Sequence, residues 1–113
     1  MECLFCRVVA GEVPADTVHE TGQTVAFRDI TPQAPTHVLV VPRAHHDDLA
    51  SLVDADPAAA GELMAAAVAV ARQEGHAEGG YRLVVNTGRD GGQTVGHLHV
   101  HVLGGRTHGW PAG

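Results

Sequence analysis

The alternation of apolar and polar positions is clearest over residues 96–105, GHLHVHVLGG, where His97, His99 and His101 alternate with Leu98, Val100 and Val102. In an extended chain residues i and i+2 share a face, about 7 Å apart. The pattern therefore predicts a strand with a row of three imidazoles on one side and buried aliphatic residues on the other. Upstream, HVLVVP (37–42) is a continuous apolar run and predicts a strand buried on both faces. TVHET and TVAFRDI, separated by Gly22 and Gln23, predict a hairpin, and YRLVVN (81–86) a further strand.

Helical spacing appears in three places. Leu4, Phe5, Val8 and Val9, followed by Gly11, predict a short N-terminal helix with a glycine stop. Asp47 or Asp48 is the expected cap of a short helix running through Leu52. Residues 56–75 form the longest helical pattern, with Asp56 as N-cap, Pro57 at the first position and Gly75 at the end. The prolines of TPQAPTH predict a rigid loop, and TGRDGGQTVG (87–96) a glycine-rich loop that feeds the histidine strand. There is no βαβ rhythm, repeat or linker. The expected architecture is one α+β domain over residues 1–113, an antiparallel sheet of about five strands with one long helix and the short N-terminal helix.

Composition narrows the function classes. Of 113 residues, 7 are Lys or Arg and 13 are Asp or Glu, a net charge of -6. Such a surface has no broad basic face for nucleic acid, although one locally positive site for a small anion remains compatible. The run LMAAAVAVA (63–71) is too short to cross a bilayer. The N-terminus lacks the basic start and long apolar run of a secretory signal. No membrane partner is expected, and the expected location is cytoplasmic.

Candidate chemistry sits at both ends of the chain. Cys3 and Cys6 form C-x-x-C. A disulfide there would close almost no loop, and a redox pair lacks its usual βαβ setting. The pair is also half of a zinc site that needs two more ligands. The three histidines can act as metal ligands, general acids or bases, or a nucleophile. Beside them, Gly88, Gly91, Gly92 and Gly96 allow backbone N–H groups to approach an anion, while Asn86, Gln93 and Thr94 add donors. A phosphate site is the expectation.

The motif HLHVHVL fits the histidine triad (HIT) pattern at all seven positions. FRDITPQAPTHVLVVP, YRLVVNTGRDGGQTVGH and GGRTHGWPAG resemble the histidine-triad nucleotide-binding (Hint) branch, over nearly the whole chain. The resemblance implies a HIT-like fold and a purine nucleotide phosphoramidase, which hydrolyses AMP-amine P–N bonds through a nucleotidyl-histidine intermediate. His99 would be the nucleophile and His101 the partner of the phosphate, with His97 completing the triad and His37 setting its protonation. Thr94 stands where relatives carry serine, which assists the amine leaving group. Asn86 and the backbone of Gly92 and Val95 would hold phosphate, and Asp29 the ribose. Leu4, Phe5, Val8, Phe27 and Ile30 would form a slot for the base of AMP or GMP.

The resemblance further implies a structural zinc on Cys3, Cys6, His45 and His97, with His46 an adjacent competitor for His45 and no metal in the chemical step. It implies a homodimer built on the alanine-rich long helix and the YRLVVN strand, with the Trp110 tail near the partner's site. Two alternatives stay open: a dinucleoside polyphosphate hydrolase of the same superfamily, and a nucleotide-binding regulatory protein whose hydrolysis is incidental.

Overall fold

A computed structural model describes residues 3–113. In chain order the elements are α1 (Leu4–Val9), β1 (Thr17–Glu20), β2 (Thr24–Arg28), β3 (Thr36–Pro42), α2 (Leu49–Ala55), α3 (Pro57–Gln73), β4 (Tyr81–Val85), α4 (Gly88–Gly91) and β5 (Val100–Gly104). The strands form one sheet in the order β1-β2-β3-β5-β4, with every neighbouring pair antiparallel. The α+β expectation with five strands and one long helix is what the chain adopts. Among the described residues, no helix is long and apolar enough to cross a membrane.

Local chemistry sets the element ends. The Asp48 carboxylate accepts from the Ser51 amide at 2.9 Å, so Asp48 rather than Asp47 caps α2. The helix continues past Leu52 to Ala55. Asp56 caps α3 through the Ala59 amide, and Pro57 occupies the first turn, where its missing N–H costs nothing. At the far end the His76 amide reaches back to the Ala71 carbonyl at 2.9 Å while Gly75 takes a φ of 89°. That left-handed turn is open to glycine without strain.

Both faces of the sheet are covered, so β3 is buried along its whole length, as its unbroken apolar run predicts. Ala26, Val38, Val40, Val100 and Val102 pack under Leu63, Ala66, Ala67, Val70 and Ala71 of α3. On the opposite face Val25, Phe27, Leu39 and Val41 pack under Phe5 of α1. Each fully buried Val or Leu stabilises the fold by roughly 1.5–3 kcal/mol. The alanines at 66, 67 and 71 are thus used within the chain, so only the remainder of that helix is left to face another molecule.

Two expectations are corrected. The paired strand begins at Val100, so His97 and His99 precede it in an irregular lead-in. The register places Thr36 opposite Gly104 and Val40 opposite Val100, which would set Pro42 opposite Leu98. Proline has no N–H to continue the ladder. The Leu98 amide instead donates to the His46 carbonyl at 2.8 Å. The alternation itself survives, with Leu98, Val100 and Val102 all buried on the α3 side. The glycine-rich segment is also not wholly loop. Gly88–Gly91 form one helical turn, closed where the Gly92 and Gln93 amides bond the Arg89 and Gly88 carbonyls at 3.1 and 3.0 Å.

The close approach of His76 to β5 sets a steric limit. A Cβ on Gly104 would lie 2.5 Å from His76 Cδ2, and that ring is held by Thr36 Oγ1 at 2.8 Å. Gly104→Ala is expected to destabilise the fold by about 1–3 kcal/mol, read as a lower urea midpoint with an unchanged slope.

Candidate active site

The register of β3 and β5 brings the first pair of histidines together. His37 lies opposite Leu103 and His101 opposite Leu39, so the two imidazoles are diagonal neighbours on one face. His37 Nε2 and His101 Nδ1 are 2.9 Å apart. One bond determines which nitrogen carries the proton. The Gln33 backbone N–H, which can only donate, points at His37 Nδ1 at 2.9 Å. A neutral His37 must then carry its proton on Nε2 and donate it to His101 Nδ1. That leaves His101 with its own N–H on Nε2. Asp29 Oδ2 lies 3.4 Å from His37 Nε2, and Asp29 Oδ1 accepts from the Thr31 amide at 2.8 Å.

Burial keeps this pair neutral. His101 is pushed down to about 4, chiefly by burial and then by His99 and His37, with Asp29 opposing. Burial likewise lowers His37, and Asp29 again opposes. Asp29, His37 and His101 bring three potential ligand atoms within 4.8 Å of one another. The amide on His37 Nδ1 makes them a directed hydrogen-bond chain.

His99 has the opposite proton arrangement. Its Nδ1–H donates to the His97 carbonyl at 2.8 Å, so Nε2 keeps a lone pair. The ring is 5% exposed and centred 5.0 Å from that of His101. Phe5 stands against it edge-on at 5.2 Å. Adjacent imidazoles thus present a lone pair at His99 and an N–H at His101.

His97, fully buried, belongs to a different cluster. Its Nδ1 lies 3.3 Å from Cys3 Sγ and 3.5 Å from Cys6 Sγ, and His45 Nδ1 lies 3.3 Å from Cys6 Sγ. The donor atoms of Cys3, Cys6, His45 and His97 all fall within 4.8 Å of one another. Tetrahedral zinc bonds of about 2.0–2.3 Å require N···S separations of roughly 3.6 Å, so the donor set fits that ion. The outer nitrogens are also satisfied. His97 Nε2 donates to the Pro42 carbonyl and His45 Nε2 to Asp47 Oδ1, each at 2.9 Å, which turns both Nδ1 lone pairs inward. The bond to Asp47 is the main reason His45 is raised. His46 is not part of the cluster, since its Nδ1 faces Ser51 Oγ at 3.4 Å.

The remaining expected residues divide. Phe5 and Phe27 are buried and pack edge to face at 5.4 Å, so they act first as core. Val8 is half-buried, Leu4 is 50% exposed and Ile30 99% exposed. The Gly92 N–H is spent on the Arg89 carbonyl and is not a free donor. Gln93 is also committed, donating to the Asp47 and Val95 carbonyls at 2.6 and 3.0 Å. Among the described residues the amides of Thr94, Val95 and Gly96 have no acceptor within the protein. Asn86 follows β4 and is half-buried, and the Thr94 side chain is exposed. An open groove of about 1350 Å³ runs past Leu4, Arg7, Arg89, Thr94 and Val95, beside the cysteine cluster and short of His99 and His101.

Three participants escaped sequence reasoning: the Gln33 amide, the Pro42 carbonyl and the Asp47 carboxylate. Backbone groups carry no residue signature. Asp47 had one, standing two positions beyond His45.

The HIT domain family matches residues 10–108. A purine nucleoside phosphoramidase of Escherichia coli strain K12 is 44% identical over 105 residues, 93% of this chain and 88% of the relative. A 14 kDa zinc-binding protein of Zea mays is 45% identical over 113 residues, 97% and 87% of the two chains. The crystal structure of a HIT family hydrolase from Legionella pneumophila Philadelphia 1 superposes with a TM-score of 0.95 at 46% identity, covering 99% of this chain and all of that one.

The depressed His101 has a signed consequence. As pH falls below the ordinary 6.5, the unfolded chain takes up this proton first, so the folded state loses stability down to about 4. Above that window the effect is absent. His101→Gln is expected to flatten the loss of stability between those two values in denaturant titrations at stepped pH.

Proposed function

This chain belongs to the HIT family and is a hydrolase, and on that premise we propose that it cleaves the P–N bond of purine nucleoside phosphoramidates with His99 as nucleophile. The observation that carries the reading is the set of contacts, from the His97 carbonyl to His99 Nδ1 and from the Gln33 amide through His37 to His101 Nδ1, that gives the two rings opposed tautomers. His99 Nε2 holds a lone pair because its Nδ1–H is bound to the His97 carbonyl. His101 Nε2 holds a proton because its Nδ1 accepts from His37. A lone pair attacks phosphorus, and an adjacent N–H stabilises charge on a non-bridging oxygen.

In the first step His99 Nε2 bonds to the α-phosphorus and the P–N bond breaks, its electron pair leaving with the amine, which takes up a proton from solvent. Thr94, on the segment with free amides, is the hydroxyl assigned to that leaving group. Charge on the ring spreads to Nδ1–H, which remains bound to the His97 carbonyl. In the second step water adds its oxygen to phosphorus, its proton passes to solvent, and the P–Nε2 bond breaks to restore the neutral imidazole. The amides around Val95, with Asn86, hold the phosphate. Asp29 takes the ribose, and the exposed Leu4 and Ile30, beside Val8, flank the base.

The cluster of Cys3, Cys6, His45 and His97 is assigned to zinc in a structural role, with all four tetrahedral positions taken by the protein. Its position supports that role, since Cys3 caps α1 through the Cys6 amide at 3.3 Å and His97 precedes the nucleophile by two residues. A homodimer is assigned from β4, a half-buried edge strand, apolar except for Arg82, whose outer backbone groups lack a neighbour in the sheet. Trp110 is 86% exposed and follows a Gly109 carbonyl held by Arg82 of the same strand, which supports a tail lying near that partner's site.

Mass spectrometry after brief mixing with adenosine 5′-phosphoramidate is expected to find one AMP per chain on His99 and none in His99→Ala. An unmodified wild-type chain that still turns over, or modification elsewhere, defeats the assignment. Cys6→Ser is expected to lose most of one bound zinc by elemental analysis and to unfold at a lower temperature; undiminished zinc would exclude the site.

A further inference from the structure

The proton arrangement at His37 and His101 starts from a backbone amide on a loop with no regular pairing. Gln33 lies in the segment between β2 and β3 and is itself exposed. Locally, Thr31 is turned toward Asp29 and the Gln33 side chain donates to the Thr31 carbonyl at 3.0 Å. Neither bond reaches another part of the fold. The hold from outside comes from residues just past β5. Arg106 Nε donates to the Gln33 carbonyl at 3.0 Å across 73 residues of chain, and its Nη1 donates to the Thr107 carbonyl at 3.1 Å. Gly105, at a φ of 92°, lets the backbone lie so near that a Cβ there would sit 2.8 Å from Pro35 Cβ. The loop is thereby gripped at Gln33 by a guanidinium and at Pro35 by a bare backbone.

We propose that Arg106 is a positioning residue for the His37–His101 pair, holding Gln33 so that its N–H stays on His37 Nδ1. The Gln33 amide is the one member of the chain whose donor role is fixed, so it orders the others. If it drifts, His37 can move its proton to Nδ1 and present a lone pair on Nε2. His101 then donates from Nδ1 and turns a lone pair, rather than an N–H, toward the site. An acceptor there repels a phosphoryl oxygen where a donor would stabilise it. The groups facing His101 are His37 from β3, His99 from its own lead-in and Asp29 from the end of β2. Arg106 is not among them, so it acts through the loop it holds and not through its charge. No feature of GGRTHGWPAG marks this arginine as bound to a glutamine near position 33.

The activity arm of the test rests on the phosphoramidase reading, and the tautomer arm does not. Long-range ¹H–¹⁵N correlation spectra are to be compared between the wild-type chain, Arg106→Met and Arg106→Lys. The wild type is expected to show His101 protonated at Nε2, and Arg106→Met a mixture of both tautomers. With adenosine 5′-phosphoramidate, Arg106→Met is expected to lower kcat by about 10–100-fold, the scale of a small misplacement at a reacting centre. The unfolding temperature should stay near wild type, because both groups of the lost bond are exposed, and the affinity for AMP should fall by less than kcat, because charge on the phosphoryl oxygens is greatest in the transition state. Arg106→Lys keeps one donor and should recover most of kcat. Unchanged tautomers in Arg106→Met overturn the proposal, as does a loss of kcat matched by equal losses of AMP binding and thermal stability. A tautomer shift in a protein whose wild type fails to cleave the P–N bond would uphold the role of Arg106 and defeat the phosphoramidase reading.

Discussion

A neutral imidazole has two nitrogens and one proton, and in this fold main-chain groups choose which nitrogen keeps it. The carbonyl of His97 takes the Nδ1 proton of His99, the carbonyl of Pro42 takes the Nε2 proton of His97, and the amide of Gln33 occupies Nδ1 of His37. Each choice leaves the other nitrogen with a definite character. His99 is left with a lone pair on Nε2, His97 turns one toward the cysteine cluster, and His101 Nδ1 accepts a hydrogen bond from His37. Three chemically identical side chains within five residues acquire distinct hydrogen-bonding characters because their partners differ. Burial reinforces this by keeping His37, His97 and His101 from taking a second proton.

The two clusters meet in α1. Cys3 and Cys6 sit on its first turn beside His45 and His97, while Phe5, between them in sequence, packs on Phe27, His97 and His99. One helix of six residues therefore joins the candidate metal centre to the ring that carries the lone pair. Isolated, so short a helix is unstable in water. Its order comes from the sheet beneath it and from the thiols at its start. The placement of the candidate nucleophile thus depends on residues at opposite ends of the chain.

Much of this was legible beforehand, and the misses have physical causes. Period-two alternation, the proline and aspartate starting α3 and the glycine after it are enough for the fold class and for the five strands and the long helix, though not for α4 or for where β5 begins. The resemblance carried over the four-residue Cys/His set, whose donor atoms do converge. The start of β5 was misjudged because Pro42, its neighbour across the ladder, is remote in sequence and withholds an N–H there. Gly92 was expected to donate to phosphate, yet its amide closes a helical turn that a glycine-rich composition does not announce. Gln33 and Arg106 were invisible because the groups that matter at Gln33 are common to every residue. Pairing across 73 positions leaves no local mark.

The two sides of residues 97–102 are so unlike that the spacing within them has an unforgiving character. Leu98, Val100 and Val102 face a close-packed layer of alanine, valine and leucine, while the intervening imidazoles face thiols and one another. Inserting or deleting a single amino acid would rotate every later side chain through half a turn, driving rings into hydrocarbon and aliphatic groups onto the sulfur cluster. Drift in this segment is confined to exchanges of one residue for another, and its length is as much a part of its chemistry as its letters.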